Sequence, residues 1–260
     1  MFILGSNSNP RMTLVTARNQ LMRTAVQIDK TSTRGRPRLM STSDMVDAIL
    51  FVCRTGCQWS MLTEVYGISY KTIYHRFSIW SKARIFEHAF YNVACAYRLQ
   101  NTSNPLIVDT TFVKNVCGRE VLGRTHTDRG RQSTKVSLLS DSRSVPLTLA
   151  FHCGNRNDCQ TLHHLLSESV CRHGNLASHV DLYADKGYDS EHCRSACRAH
   201  GLNAQIPRRR TPSIWGGLRS AIEVCFGRMD QYRRIIMRYD SKICHFKSFH
   251  YLACTCMMPI

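Results

Sequence analysis

Asn101-Thr-Ser-Asn-Pro-Leu-Ile-Val-Asp109 is a polar break followed by a short apolar run, and there the chain changes character. Asn, Ser and Pro punctuate the backbone, so a boundary falls at 101–105. The run at 106–109 fits a buried strand. Toward the C-terminus, residues 135–139 and 147–151 are two more strand candidates, joined by a polar turn at Asp141-Ser-Arg143. A helix is expected around 160–170. Val180-Asp-Leu-Tyr-Ala184 reads as another strand, followed by the turn Asp185-Lys-Gly187 and a helix over 190–200. A short strand at 203–206 precedes the basic turn Pro207-Arg-Arg-Arg210, and a last long helix is expected from about Leu218 to Tyr232. Three strands, helix, strand, helix, strand, helix make an α/β (α+β mixed) fold, a mixed sheet with helices against it. No internal repeat is visible.

Before the break the pattern is helical. Ser41, Thr42 or Ser43 can cap a first helix, and Asp44 suits its positive end. Met45, Ile49, Val52 and Cys53 recur at helical spacing, and Gly56 stops the run. After Tyr66-Gly-Ile-Ser69 a further helix turns Ile73, Phe77 and Trp80 inward and leaves Lys71, Thr72, His75 and Arg76 outward. This is a helix-turn-helix pattern with a basic second helix, which also occurs in proteins that never touch DNA. Residues 1–33, rich in Ser, Thr and Asn, are expected to be a poorly ordered arm. Arg34-Gly-Arg-Pro-Arg38 suits either a phosphate backbone or a solvated linker.

Composition narrows the partner. Lys and Arg number 35 against 18 acids, a formal charge of +17 that destabilises a compact chain by self-repulsion. A polyanion would offset it, and nucleic acid is the first candidate. A small-metabolite enzyme has no need of the excess. Thirteen cysteines are an odd number in a chain longer than disulfide-stapled domains, so reduced, mostly buried thiols are expected. Cys193, Cys197 and His200 share a helix face, as Cys53 and Cys57 lie four apart, but neither has the spacing of a structural zinc knuckle. The apolar start at 1–4 is too short for a secretory signal, and no run approaches a membrane span. An intracellular protein working with DNA and no membrane is expected.

Three acids fall where a sheet would gather them: Asp109 and Asp185 at strand ends, and Glu223 in the first turns of the last helix. Breaking a phosphodiester by in-line attack needs an activated oxygen and a stabilised leaving oxygen. Two divalent ions about 4 Å apart, Mg2+ or Mn2+, supply both and want carboxylate ligands. Each acid also has a structural reading. Asp109 can cap its turn with Thr110 and Thr111, Asp185 can form an Asx-turn, and Glu223 can pair with Arg219. Asp158, Asp181 and Asp189 are rivals of the same type.

The fragments around these acids resemble the DDE transposases of bacterial insertion sequences, of the insertion-sequence-five type. The likeness runs from about Gly35 to the C-terminus. In front it rests on Arg36-Pro37, Arg54-Thr-Gly-Cys-Gln-Trp59 and Tyr74-His-Arg-Phe77 with Trp80. Behind the break it rests on Val108-Asp-Thr-Thr111, Leu122-Gly-Arg124, Thr134-Lys-Val136, Asp185-Lys-Gly-Tyr-Asp189, Arg219-Ser-Ala-Ile-Glu223, Phe226-Gly-Arg228 and Tyr232-Arg-Arg234. The resemblance implies a ribonuclease-H-like core, hydrolysis at transposon ends and attack of the freed 3′ hydroxyl on target DNA. It makes Asp109, Asp185 and Glu223 the ligands of two metal ions and puts Arg219 on DNA phosphate. Two positions depart from the pattern: Gly216 stands where the family often has Tyr, and Asp230 where it usually has Lys. Arg228, Arg233 or Arg234 could take over the lost phosphate contact.

The expected organisation is a flexible arm over 1–33, a helical DNA-binding domain over 34–100 carrying Lys71, His75 and Arg76, and a catalytic domain over 104–260. The expected partner is double-stranded DNA, both transposon ends and target; joining two ends is compatible with a homodimer. Asp230 motivates an alternative, a catalytically inactive DNA-binding descendant of a transposase. A nuclease that cuts without joining is a third reading.

Overall fold

The computed structural model describes residues 14–29, 39–125, 129–174, 179–210 and 218–259. Helix α1, Leu14–Asp29, occupies about half of the stretch expected to be an unordered arm. Ala17, Leu21 and Ala25 recur every four residues and are buried, a stripe narrow and small enough to escape notice in a polar segment. Residues 1–13 and the basic stretch at 34–38 lie outside the described residues.

Helix α2, Thr42–Thr55, begins at Ser41, whose hydroxyl accepts the Asp44 amide at 3.0 Å. It ends at Gly56 with φ 69°, where a side chain would also press on the Cβ of Arg233 at 3.0 Å. Short α3, Met61–Tyr66, and α4, Tyr70–Lys82, follow, and α4 buries Ile73, Phe77 and Trp80 as the spacing predicts. Helix α5, Ile85–Gln100, leads into the sheet.

The strands are β1 Leu106–Asn115, β2 Gly123–Arg124, β3 Gln132–Asp141, β4 Pro146–Cys153, β5 Val180–Tyr183, β6 Leu202–Gln205 and β7 Met237–Arg238. Between them come α6, Asp158–His173, and α7, Glu191–Ala199; α8, Leu218–Met229, and α9, Ile243–Thr255, flank β7. β1 runs antiparallel to β3 and β3 to β4, whereas β5 pairs parallel with β1 and β6 with β5. The resulting order β4-β3-β1-β5-β6 is the ribonuclease-H-like mixed sheet that the resemblance implies.

α8 and α9 also depart from the sequence reading. α8 stops at Met229 rather than near Tyr232. α9 was not expected at all: ten of its residues are buried, so it lacks the polar face that reveals an amphipathic helix. It packs against α2, α4, α5 and β4, and Phe249 stacks on Phe77 of α4 at 4.7 Å between ring centres. One contiguous apolar cluster therefore includes Leu21, Ile49 and Phe77 in front of the 101–105 break and Leu106, Leu138 and Phe249 behind it. Among the described residues no helix is long and apolar enough to cross a membrane.

The core also holds neutral imidazoles. His250 is buried in α9 beside the Phe246 carbonyl at 3.0 Å, and burial pushes its pKa down to about 4. His152 of β4 is pushed to about 4, first by burial and then by His164 and nearby cations. Folded-state values below the ordinary 6.5 mean that the unfolded chain binds more protons between pH 6.5 and 4. Stability is then complete above about pH 6.5 and lost as pH falls through that window. His250→Gln should reduce the acid-side slope by up to about 1.4 kcal/mol per pH unit, one proton's worth. Urea unfolding at pH 7, 6, 5 and 4 measures it; an unchanged slope contradicts a neutral buried His250.

Candidate active site and nucleic-acid interface

The sheet pairing places the first two acids. β1 and β5 are parallel, and their last matched residues are Ile107 and Tyr183. Asp109 and Asp185 each lie two residues further on, at the same level of the sheet where β5 has ended. Contrary to the sequence reading, Asp109 does not end its strand: β1 continues to Asn115, and Asp109 stays paired opposite Leu138 of β3. Its other edge is open between the Ile107–Tyr183 pairing and β7, which joins β1 at Lys114 and Asn115. A strand edge that loses its neighbour is where open α/β sheets form ligand crevices.

The Asp109 carboxylate accepts the Thr110 amide at 2.7 Å. Burial, the largest influence, raises its pKa to about 6; Asp185 and Asp158 push the same way, against the Thr110 amide and Arg219. Asp185 caps a turn of 3-10 helix at Lys186–Tyr188, and its Oδ1 accepts the Gly187 amide at 2.7 Å. The turn-forming role that sequence allowed for Asp185 is thus real, and it sets the carboxylate at the mouth of the crevice.

Glu223 is exposed on α8, the helix that lies against β1 and β3. Its Oε1 meets Nε of Arg219 at 3.0 Å, one turn earlier on the same helix. Arg219 in turn is close enough to Asp109 to lower its pKa. Among the described residues no three His, Cys, Asp or Glu side chains are grouped so as to hold a metal ion. Asp109 and Asp185 share the crevice, and Glu223 is turned to its arginine.

Sequence reasoning weighed Asp158 only as a rival, yet it faces the same crevice. Its Oδ1 receives Nζ of Lys135 at 2.6 Å and the Thr110 hydroxyl at 3.3 Å. Lys135 is a buried ammonium in β3 that also donates to the Arg156 carbonyl at 2.6 Å and sits 4.9 Å from the Phe112 ring centre. Lys135, the one basic residue of β3, was the available signal. Asp189 and Asp181 are spent elsewhere, on Arg194 at 2.8 Å and on Gln205 at 3.2 Å.

The basic residues divide by environment. Lys71 and His75 are exposed on α4 and, with Arg76, Thr72 and the start of α2 at Ser41 and Thr42, line an open groove of about 370 Å3. Arg219 and Arg233 are exposed. Arg228 donates to the carbonyls of Ser144 at 3.0 Å and Met257 at 2.6 Å, tying α8 to the β3–β4 turn and the end of the chain. Arg234, proposed from sequence as a phosphate contact, is buried, paired with Asp240 at 2.8 Å and set over the Phe249 ring. Its guanidinium is committed to Asp240 within the core, because a buried charge needs its partner. Asp230 is exposed just past α8; Gly216 lies outside the described residues. Cys193 and Cys197 pack in the core; of the thirteen cysteines six are buried and two exposed, fewer buried than expected.

Two family models match the chain. "Putative transposase of IS4/5 family (DUF4096)" covers residues 19–90, and "Transposase DDE domain" covers residues 101–257. A protein of Burkholderia cepacia described as "Putative transposase for insertion sequence element IS402" is 31% identical over 53% of this chain and 68% of its own length. One of Brucella ovis, "Putative transposase for insertion sequence element IS6501", is 30% identical over 47% of this chain and 95% of its own. Among solved structures, the Mos1 strand transfer complex aligns with TM-score 0.37 and 10% identity over 87% of this chain and 79% of that one. The Mos1 paired-end complex with left transposon end aligns with TM-score 0.31 and 9% identity over the same shares. The match over residues 101–257 takes in Asp109, Asp158, Asp185 and Glu223 together, and by it the chain belongs to the DDE-domain transposases of insertion sequences.

Proposed function

We propose that this chain cuts DNA at the ends of its own element and joins the freed 3′ ends to target DNA, with Asp109, Asp185 and Glu223 as the acid triad. The observation that carries the reading is the placement of Asp109 and Asp185 at one level beyond the last β1–β5 pair. A half-buried carboxyl raised to about 6 by desolvation and by neighbouring acids marks a place where a cation would relieve stored repulsion. The donors are hard carboxylate oxygens, which suit Mg2+ or Mn2+. Asp109 and Asp185 would hold the ions first, with Glu223 as the third ligand. Bound there, two such ions activate the attacking oxygen and steady the leaving one.

The protein's own part is positioning. β1 fixes Asp109 through its pairing with β3, and the turn at 186–188 fixes Asp185. Glu223 becomes available when Arg219 lets go. Both side chains are more than half exposed, so their pair contributes only about 0.3–0.5 kcal/mol. A DNA phosphate offers Arg219 a stronger partner, so DNA binding frees the third acid. Duplex oligonucleotides carrying an element end, incubated with Mg2+ or Mn2+, test the reading by resolving hydrolysis from joining.

The α4 face is the proposed reader of the duplex, within a helical DNA-binding unit ahead of residue 101. Lys71→Ala should weaken binding of all duplex sequences alike and lower the salt slope of log K by about 1. Filter binding or anisotropy across a salt series measures it; an unchanged slope removes Lys71 from the interface. Asp230 supports a second reading, a DNA binder without chemistry, because it is an exposed acid where the family resemblance implies a lysine toward DNA phosphate. Salt-dependent, sequence-selective binding with no cleavage under either metal would select it.

A further inference from the structure

We propose that Asp158 is a fourth carboxylate of the active site, presenting Oδ2 to the divalent ions that Asp109 and Asp185 hold. The inference rests on the metal-dependent reading above and adds a ligand to it.

Asp158 has two differently occupied oxygens. Oδ1 is gripped by Lys135 at 2.6 Å and by Thr110, the residue next to Asp109, at 3.3 Å. Oδ2 faces Gly187: a Cβ built there would stand 3.5 Å from it and 2.8 Å from Oδ1 of Asp185. The two carboxylates therefore look onto one small volume over a residue with no side chain. Lys135 sets one positive charge among the three acids, offsetting one unit of their mutual repulsion.

A second observation points to a missing occupant. Tyr188 is 1% exposed, and its hydroxyl closes no well-formed hydrogen bond. That hydroxyl lies beside Thr110 and near enough to Asp158, Asp109 and Asp185 for all three carboxylates to act on it. Leaving a buried hydroxyl without a partner is unfavourable. A hydrated ion among the acids would bring water to it.

The competing explanation is purely structural: Asp158 exists to neutralise buried Lys135. The full-length chain, free of DNA, decides between the two when Mn2+ binding is measured by the electron paramagnetic resonance signal of the unbound ion. Asp158→Asn should bind Mn2+ about ten-fold or more weakly, and so should the double variant Asp158→Asn with Lys135→Met, which strands no charge. Wild-type binding by Asp158→Asn overturns the proposal. So does restored binding in the double variant, because the single loss then came from orphaned Lys135. Asp109→Asn separates the two levels. If it abolishes binding while Asp158→Asn does not, only the fourth ligand falls. If it too binds normally, the metal-dependent reading falls with it.

Discussion

Asp109→Asn should reduce both cleavage and joining by about a thousand-fold or more while leaving the fold in place. The magnitude follows from the chemistry assigned to the site. Metal-ion stabilisation of a phosphodiester transition state supplies several kcal/mol, and each 1.36 kcal/mol is ten-fold in rate. Asn has the shape of Asp and can still accept the Thr110 amide that Asp109 accepts at 2.7 Å. It cannot supply the negative charge that attracts a hard cation. In metal-free buffer the variant should be no less stable than wild type, since burial and the neighbouring acids already oppose charge at this position. Asp185→Asn and Glu223→Gln should follow the same pattern. Joining and hydrolysis are read on one gel, and circular dichroism checks the fold. Normal turnover by Asp109→Asn removes it from the triad, whatever the other two do.

The parts of this site that could be read from sequence share one property: each is local. Val108-Asp-Thr-Thr111 and Asp185-Lys-Gly-Tyr-Asp189 carry an acid within a strand-and-turn pattern that a few residues define. A mixed sheet with helices against it was likewise accessible from the succession of strands and helices, and its ribonuclease-H-like form from the family resemblance. Features set by distant residues were not. Asp158 and Lys135 meet across 23 positions, and only the pairing of β3 with β1 and β4 brings them beside Asp109. Arg234 belongs to a run, Arg233-Arg234, that reads as surface charge; Asp240 and the Phe249 ring make it a core residue. Helix α9 stayed hidden because burial on all sides erases the period by which helices are found. The family likeness found the acids, but their common level on β1 and β5 is a property of register alone.

Phe77→Ala should be the most damaging of the core substitutions in the front helices, costing about 3–5 kcal/mol, and its effect should reach the sheet. Phe77 is fully buried and is ringed by Phe249 at 4.7 Å, Trp59 at 5.1 Å, His245 at 5.2 Å and Phe86 at 5.5 Å. Two of those partners, His245 and Phe249, lie on α9, which also packs on β4 and α5. The cavity therefore opens at the seam between the front helices and α9, the helix that packs on β4, where no backbone shift on one side alone can close it. Whole domains are stable by only about 5–15 kcal/mol, so the loss is a large share of the total. Amide hydrogen exchange distinguishes shared from separate stability. With one contiguous core, protection in β3 should fall together with protection in α4, and urea unfolding should remain a single transition. Leu99→Ala, at a site 75% exposed on α5, should change stability by no more than about 0.5 kcal/mol. If β3 keeps its full protection while α4 loses its own, the helices ahead of residue 101 fold independently. The seam through Phe77, Phe249 and His245 would then be a docking contact between two units.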